Sequence, residues 1–425
     1  MEKILDLHIH SRYSRACSKN LIPETIARAC VTRGIDIVST GDFTHPQWLE
    51  MLEQELFESA SGIFSLKNNP DRSESTRFIL GTEVASIKKH AGKLRRVHHL
   101  IFAPNFAAVK KFNKKLTELG CNIRADGRPI LGLTSKDILT VALEADPQMM
   151  VIPAHAWTPW FGIFGSKGGY DSLSDAFEDL TPHIHAIETG LSSDPLMNWQ
   201  VPAVDGITLI SNSDAHSPQK LGREANVFSF EQESDITYAE IKRIIETGDR
   251  AKFLYTIEFY PEEGKYHYDG HATCEFSCPP NDTKKYRGLC PKCGRGLTIG
   301  VMNRVAELST RTEIEARTLN RVPFKNLVPL PEIIADTIGV GVSSKAVTQI
   351  YDTLIKKIGS EFYILLQADL SLVQTVSSPE IAEALGRVRE GNIYVKPGYD
   401  GIFGVVKVFG DNERKKTEQK SFDLS

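Results

Sequence analysis

Residues able to do metal chemistry crowd the first half of this 425-residue chain. His8 and His10 in "DLHIH", Asp42 in "TGD" with His45 close behind, Glu83 in "GTE", His98 and His99 in "VHHL", His155 in "PAH", Glu188 in "HAIET", and Asp214 and His216 in "NSDAH" each close or occupy a short apolar run. On an extended strand, side chains at i and i+2 point the same way, so His8 and His10 can address one ion. A lone strand-end histidine is usually a hydrogen-bonded structural residue. An acid or imidazole on every run is a different pattern. Mixed imidazole and carboxylate ligands suit Zn, Mn or Fe, and they exceed what one four-coordinate ion needs. A cluster of two or three ions is expected, with Glu83 and Asp214 as bridging carboxylates.

A second group lies further on. "CEFSCPPNDTKKYRGLCPKCG" spaces Cys274, Cys278, Cys290 and Cys293 as Cys-x3-Cys, eleven residues, Cys-x2-Cys. Four thiolates so spaced in a reducing compartment make a closed tetrahedral zinc site, which is structural rather than catalytic. The first pair is one residue wider than usual, and His271 is an alternative ligand. The other three cysteines, Cys17, Cys30 and Cys121, are scattered, and seven in all is an odd number, against a disulfide framework. Such a module can bind nucleic acid, bind protein or staple a small fold.

The elements that must position these residues follow from periodicity. Seven β-rich apolar runs (3–9, 35–41, 77–83, 95–102, 149–155, 185–189 and 207–213) are separated by segments of helical spacing, among them "PETIARACVTR", "PQWLEMLEQELFESA" and "AAVKKFNKKLTEL". Largely apolar strands between helices predict parallel strands covered on both faces, an α/β fold. A barrel brings all their C-terminal ends to one face, where such enzymes build their sites. The boundaries read as a barrel over 1–232, a connecting helix over 233–263, the four-cysteine module over 264–300, a mostly helical region over 301–410 and a disordered polar tail over 411–425. Neither a long apolar run nor a signal-peptide pattern is present, so a cytoplasmic protein with no membrane partner is expected. The chain carries a net charge of −4, yet from Gly264 to Lys325 there are 11 Lys and Arg against 6 Asp and Glu. A basic segment on an acidic body is a local footprint for a polyanion.

Within that segment, "LTIGVMNRVAELSTRTEIEARTLNRV" reads as helical. Arg304 and Arg311, seven apart, would share a face that could meet a phosphate backbone, and Arg317 and Arg321 form a second pair; a solvated face with Glu307 and Glu313 is the other reading. Gly339-Val340-Gly341 with Lys345 following is either a phosphate-binding turn or a tight connection between helices. The insertion after His155, "AWTPWFGIFGSKGGYDSLSDAF", places Trp157, Trp160, Phe161 and Lys167 beside a candidate ligand. Its aromatics either line a pocket for a planar group or roof the barrel.

The set "DLHIH", "TGD", "GTE", "VHHL", "PAH" and "NSDAH" resembles the polymerase and histidinol phosphatase (PHP) family over residues 1 to about 230. That resemblance implies a distorted seven-stranded (β/α) barrel holding up to three ions for phosphoester hydrolysis. Position by position it implies His8, His10, Glu83 and Asp214 on one ion, and Glu83, His98 rather than His99, and His155 on a second. A third would take Asp42 and His216. Here the sequence departs from the family, with "SRYSRAC" and "GDFTH" where a further histidine and "DH" are common. With the second half included, the chain resembles the endonuclease Q family over nearly its whole length. This implies a DNA repair enzyme that cuts on the 5′ side of deaminated bases (hypoxanthine, uracil, xanthine) and abasic sites. It would use two or three divalent ions (Zn, Mn or Mg) and structural zinc, as a monomer, with a replication clamp as a candidate partner. In that reading Asp42, His155 or His216 orients the attacking water and Arg15 clamps the phosphate. The alternatives are a small-molecule phosphatase of the histidinol phosphate type, which has no need of the basic second half, and a non-catalytic DNA-binding scaffold, in which the ligands should have decayed.

Overall fold

The structure is a computed structural model, and it describes residues 1–68, 76–410 and 413. The expected tail therefore lies outside the described residues, Glu413 excepted. Every one of the seven apolar runs contains a strand. In chain order the strands are β1 (Glu2–Asp6), β2 (Ile37–Ser39), β3 (Leu56–Ala60), β4 (Ile63–Leu66), β5 (Arg77–His90), β6 (Lys93–Ala103), β7 (Met150–Pro153), β8 (Ala186–Glu188), β9 (Thr208–Ile210), β10 (Ala225–Ser229), β11 (Phe253–Glu258), β12 (Asp269–His271), β13 (Phe276–Cys278), β14 (Phe324–Asn326), β15 (Tyr394–Lys396) and β16 (Val405–Lys407).

The architecture is mixed α/β, but it is not the parallel seven-stranded barrel expected. Ten strands share one sheet in the order β14-β11-β10-β1-β2-β5-β4-β3, with β6 on β5 and β7 on β6, while β8 and β9 pair separately. Among the described residues these ladders do not close into a ring. In the large sheet β1/β2, β2/β5 and β11/β14 are parallel; the other pairs are antiparallel. The local cause is legible at β5 and β6. They are joined through Ala91 and Gly92, both left-handed at φ 48° and 79°. A two-residue connection of this kind permits only antiparallel pairing.

Two other expectations are corrected. The run 46–60 is helical only over Pro46–Glu55; Leu56 continues the buried stripe of Trp48, Leu49 and Leu52, which is why it reads as helix, but the chain extends there and β3 pairs with β4. The connector 233–263 contains the helix Tyr238–Thr247, but then returns to the sheet as β11 against β10, and β14 adds to β11 from beyond the cysteine module. The sheet unit thus runs past residue 232. Its inner apolar layer, including Leu5, Leu7, Ile37, Ile79, Leu100 and Ile152, packs on Ile241, Ile244 and Ile245 of that helix.

The C-terminal region is helical as expected, with helices Leu330–Ile338, Lys345–Lys357, Glu361–Leu366, Leu370–Val376 and Pro379–Arg389. Gly339 ends the first in the left-handed conformation and the Ser344 hydroxyl accepts from Val347 N–H at the start of the second. The Gly-x-Gly stretch is therefore a helix connection, and Lys345 is exposed at its far end. Buried Glu361 accepts from Leu330 N–H (3.0 Å), the Tyr351 hydroxyl (2.8 Å) and Arg33 (2.9 Å), tying this region to the first helix, Pro23–Arg33. Among the described residues no helix is long and apolar enough to cross a membrane.

Candidate active site

His8 and His10 follow β1, and the Ile9–Ala215 bridge holds their segment beside the one carrying Asp214. Asp42 lies just past β2 and His155 just past β7, whereas Glu83 and His98 sit in the middle of β5 and β6. Two groups of ligand atoms result, each within 4.8 Å: His8, His10, Glu83 and Asp214, and Glu83, His98 and His155. Glu83 belongs to both. His99 points away and its Nε2 meets the Ser135 hydroxyl at 2.9 Å, as alternation along a strand requires.

Hydrogen bonds fix which ring nitrogens face inward. His8 Nδ1–H donates to Glu188, 3.0 Å from both carboxylate oxygens, which leaves the Nε2 lone pair 3.6 Å from Glu83 Oε2 and 3.5 Å from Asp214 Oδ1. That Nε2 is buried and has no hydrogen-bond partner. His10 Nδ1 meets Asp42 Oδ1 (3.1 Å), turning Nε2 toward Glu83 (3.2 Å) and Asp214 (3.1 Å). The Thr158 hydroxyl donates to the His155 carbonyl, so its oxygen accepts from His155 Nδ1–H (2.8 Å). His155 Nε2 then presents a lone pair to Glu83 Oε1 at 3.0 Å. Lone pairs of imidazole and carboxylate at such distances repel unless a proton or a metal ion lies between them. Ring nitrogens held from behind by a carboxylate or hydroxyl are how proteins orient metal-binding histidines. The residues present therefore fit two divalent ions.

Electrostatics agrees. Burial disfavours charge on His8 and His10, yet the carboxylates Glu188, Asp214 and Glu83 around the first and Asp42 beside the second hold both rings well above the ordinary imidazole range. Burial raises Glu83, but His98, Arg128 and His8 hold it well below the usual carboxylate range. Burial pushes His98 down to about 4, leaving it neutral. The cage calls for positive charge. Asp42, His155 and Asp214 all adopt left-handed backbone, at φ 49°, 31° and 46°, a strained choice for non-glycine residues that clusters at functional sites.

Asp42 and His216, expected on a third ion, belong to neither of these groups. Asp42 Oδ2 accepts from Ser11 N–H (2.6 Å) and Ser14 Oγ–H (2.9 Å), so it orients His10 from behind. Gly127 lets the neighbouring loop close over it: a Cβ there would lie 2.3 Å from Asp42 Oδ2. The His216 ring lies 4.6 Å from that of His10 and tilted by 59° to it, and its Nδ1–H donates to the Asp214 carbonyl at 2.9 Å, leaving Nε2 unprotonated.

A cavity of about 530 Å³ opens in front of these groups, lined by His98, His155 and Asp214 on its floor and by Arg15, Arg128, Trp160 and Phe161 around it. Phe161 stacks on His98 at 4.4 Å. Trp160 is exposed at the rim, edge-on to Tyr266. Lys167 is exposed on the same insertion. Trp157 is a correction: it is fully buried, its Nε1–H donating to Asn198 at 2.7 Å, because an indole beside the ligand loop packs the interior while its one donor is satisfied. Arg15 reaches outward, 84% exposed and paired with Asp126.

Sequence reasoning missed Arg128, whose Nη1 lies 3.1 Å from Glu83 Oε2, and did not assign a role to Glu188. Glu188 binds His8, the His155 N–H (2.7 Å) and Asn212 (2.9 Å) at once. Its strand-end position was the available signal; Arg128 lies in the loop "RADGR", which carries none.

In the cysteine module the gathered ligands are His271, Cys274, Cys290 and Cys293. Cys278, expected as the fourth, instead points inward from β13, with its sulfur 3.3 Å from the Thr283 hydroxyl. The reason is register: β12 and β13 pair His271 with Phe276 and Asp269 with Cys278, which carries His271 to the cluster end of the ribbon and Cys278 to the other.

A family model described as the MJ0043 C-terminal domain matches residues 329–392. Over 256 residues the chain is 35% identical to the uncharacterized protein MJ0043 of Methanocaldococcus jannaschii, a match that covers 59% of this chain but only 31% of that protein. The crystal structure of the lesion-specific endonuclease PfuEndoQ from Pyrococcus furiosus superposes with a TM-score of 0.83 at 33% identity, covering 96% of this chain and 95% of that one. A complex of endonuclease Q with a 27-mer duplex bearing an abasic lesion at its active site superposes at 0.82 and 33%, covering 97% and 98%.

The chain belongs to the endonuclease Q family. It is accordingly an enzyme, a phosphodiester hydrolase of the endonuclease class. In this member of the endonuclease Q family the arginines expected on one helix face are used internally. The stretch forms two short helices, Val301–Leu308 and Glu313–Arg317. Buried Arg304 donates to the Phe164 and Tyr170 carbonyls, Asp171 and Glu307. Arg311 donates to Asp205 and the Trp199 carbonyl. A guanidinium taken from water must place its donors, and these two place them on the sheet domain.

Proposed function

We propose that this protein is a metal-dependent DNA repair endonuclease that hydrolyses the phosphodiester on the 5′ side of deaminated bases (hypoxanthine, uracil, xanthine) and of abasic sites. The observation that carries the reading is the convergence of three imidazole lone pairs, from His8, His10 and His155, on Glu83 and Asp214 at the floor of an open cavity. The two superposing structures, one of a lesion-specific endonuclease and the other of endonuclease Q with a duplex bearing an abasic lesion, support the choice of substrate.

His8, His10, Glu83 and Asp214 would hold one ion and Glu83, His98 and His155 a second. When bound, such ions neutralise phosphate charge and acidify water. The chain's own groups do the rest. His216 Nε2, kept unprotonated by the bond its Nδ1–H makes, is available to take a proton from the attacking water. Arg128, which faces the cavity beside Glu83, offers a charge-assisted hydrogen bond to a phosphate oxygen; Arg15 at the rim offers another. The extruded nucleotide would occupy the space between Phe161, Trp160 and the ligands, its lesion lowering the cost of leaving the stack. Exposed Lys167 and Lys345 would contact the backbone, so affinity should fall with salt. His271, Cys274, Cys290 and Cys293 would bind structural zinc. We place the enzyme in the cytoplasm as a monomer, with a replication clamp as a candidate partner.

The test is nicking of oligonucleotide duplexes carrying deoxyinosine, deoxyuridine, deoxyxanthosine or an abasic site, with divalent metal and with chelator. Cleavage 5′ to the lesion only with metal, lost in Asp214→Ala, is expected. Undiminished cleavage by Asp214→Ala would sink the site assignment, and cleavage of a phosphate monoester in preference to every duplex would sink the substrate.

A further inference from the structure

A large aromatic side chain stands out in water far from any core. Phe403 is 66% exposed, and Ile402 before it is 40% exposed, at the tip of the β15/β16 hairpin. The tip is not a loose loop. Tyr399 and Ile402 exchange backbone hydrogen bonds (3.0 and 2.8 Å) across Asp400 and Gly401, which are left-handed at φ 45° and 87°, as a tight type I′ turn requires. The Asp400 carboxylate accepts from Ala272 N–H (2.6 Å) and the Thr298 hydroxyl (2.5 Å) of the cysteine module. On the other side Gly398, Gly401 and Gly404 donate to the carbonyls of Glu262, Lys265 and Glu263 at 2.8, 3.0 and 3.0 Å. Holding an apolar pair rigid in solvent forfeits the stabilisation that burial of the ring would give, so the fold exposes it against its own stability.

Position shows what the pair can meet. Lys265 Nζ lies 4.3 Å over the Phe403 ring. Lys265 also lines a smaller cavity of about 170 Å³ with Thr158, Trp160 and Ser192, and those three line the large cavity in front of the metal ligands as well. One lysine thus links the apolar tip to the groove where a phosphodiester would lie. Lys396 is exposed on the neighbouring strand, opposite Val405. An aromatic flanked by lysines beside a phosphodiesterase site fits a base step whose phosphates meet the cations.

We propose that Ile402 and Phe403 form a wedge that enters the base stack of duplex DNA at the lesion and fills the gap left by the extruded nucleotide. This rests on the reading of the site as a lesion endonuclease. The wedge stabilises the extruded state, so it matters for a duplex and not for a strand that has no stack to open.

The experiment uses the full chain, a duplex with one deoxyinosine beside a 2-aminopurine, and the same lesion strand alone. In the parent, binding with calcium in place of the catalytic metal should raise 2-aminopurine fluorescence as the step unstacks. For Phe403→Ala we expect that rise to be lost and duplex cleavage to fall about tenfold or more, with single-strand cleavage within about twofold of the parent. Phe403→Leu should recover most of the duplex activity, since apolar bulk is what the gap needs. Equal loss on both substrates, or no loss on the duplex, overturns the wedge while leaving the endonuclease reading intact. A parent that cuts neither substrate with divalent metal present overturns both.

Discussion

The two ligand clusters of this molecule are built on opposite plans. The sheet domain holds its histidines and carboxylates from behind: Glu188, Asp42 and Thr158 each fix one imidazole, and Asn212 and Asn226 fix the segments that carry them. The cysteine module has a three-residue ribbon pair and a core limited to Cys278, Cys290 and Leu297 with Cys274 and Phe276 against it. Take the metal from the first and the geometry should persist, because hydrogen bonds made elsewhere define it. Take it from the second and little remains to hold four ligands together. A preorganised shell leaves an ion free to do chemistry, while a ligand set that doubles as the core makes the ion part of the fold.

The largest effect should come from the residue both sheet-domain groups share. Glu83→Gln keeps the volume but removes the charge that faces His98, His155, His10 and Arg128. Lesion cleavage should fall at least about a thousandfold, several kcal/mol of lost electrostatic stabilisation. The melting temperature should fall as well, since the fold stabilises the ionised carboxylate and the variant leaves Arg128 and the surrounding imidazoles without it. Undiminished cleavage by the variant would mean that the two groups do not share an ion-holding carboxylate, and the contrast drawn above would fail.

The complementary perturbation separates Cys290 from Cys278. Cys290→Ser should lose stoichiometric zinc and expose residues 264–300 to protease, because apparent binding energies on the order of 10 kcal/mol are folding energy in such modules. Cys278→Ser should keep its zinc, and His271→Ala should lose it. Zinc analysis and limited proteolysis read both properties. Zinc retained by His271→Ala but lost from Cys278→Ser would restore the four-cysteine set and reverse the assignment.

How legible this was in the sequence depended on how each residue breaks a local pattern. His8, His10, Glu83, His155 and Asp214 stand out because a charged or imidazole group inside an apolar run costs burial energy and needs a reason. The resemblance chose His98 over His99, and alternation along the strand turned the other away. Arg304 was unreadable for the opposite reason: a helix face of arginines looks alike whether it meets phosphate or, as here, the Phe164 carbonyl 140 residues away. Topology was hidden similarly. Runs 77–83 and 95–102 announce strands, but only the turn at Ala91 and Gly92 makes them an antiparallel hairpin. Cys278 satisfies the spacing of a zinc ligand, and only the ribbon register turns its sulfur away.

The smallest predicted effect tests how far the polar shell of the sheet domain extends. Buried Glu258 accepts from the hydroxyls of Thr189, which follows Glu188 in the chain, and of Ser211 and Thr256, with buried Glu224 near by. Burial pushes its carboxyl up to about 8, more than the hydroxyls pull it down. A carboxyl raised this way keeps its proton in the fold while the unfolded chain releases its own near the ordinary value of about 4.3. The unfolded state then binds fewer protons, so stability declines as pH rises from about 4.3 toward about 8. Glu258→Gln cannot ionise and should lose less stability than the parent between pH 5 and pH 8, by up to about 3.5 kcal/mol in denaturant unfolding. Identical pH dependence in parent and variant would place the titrating burden elsewhere and confine the shell to the residues that touch the ligands.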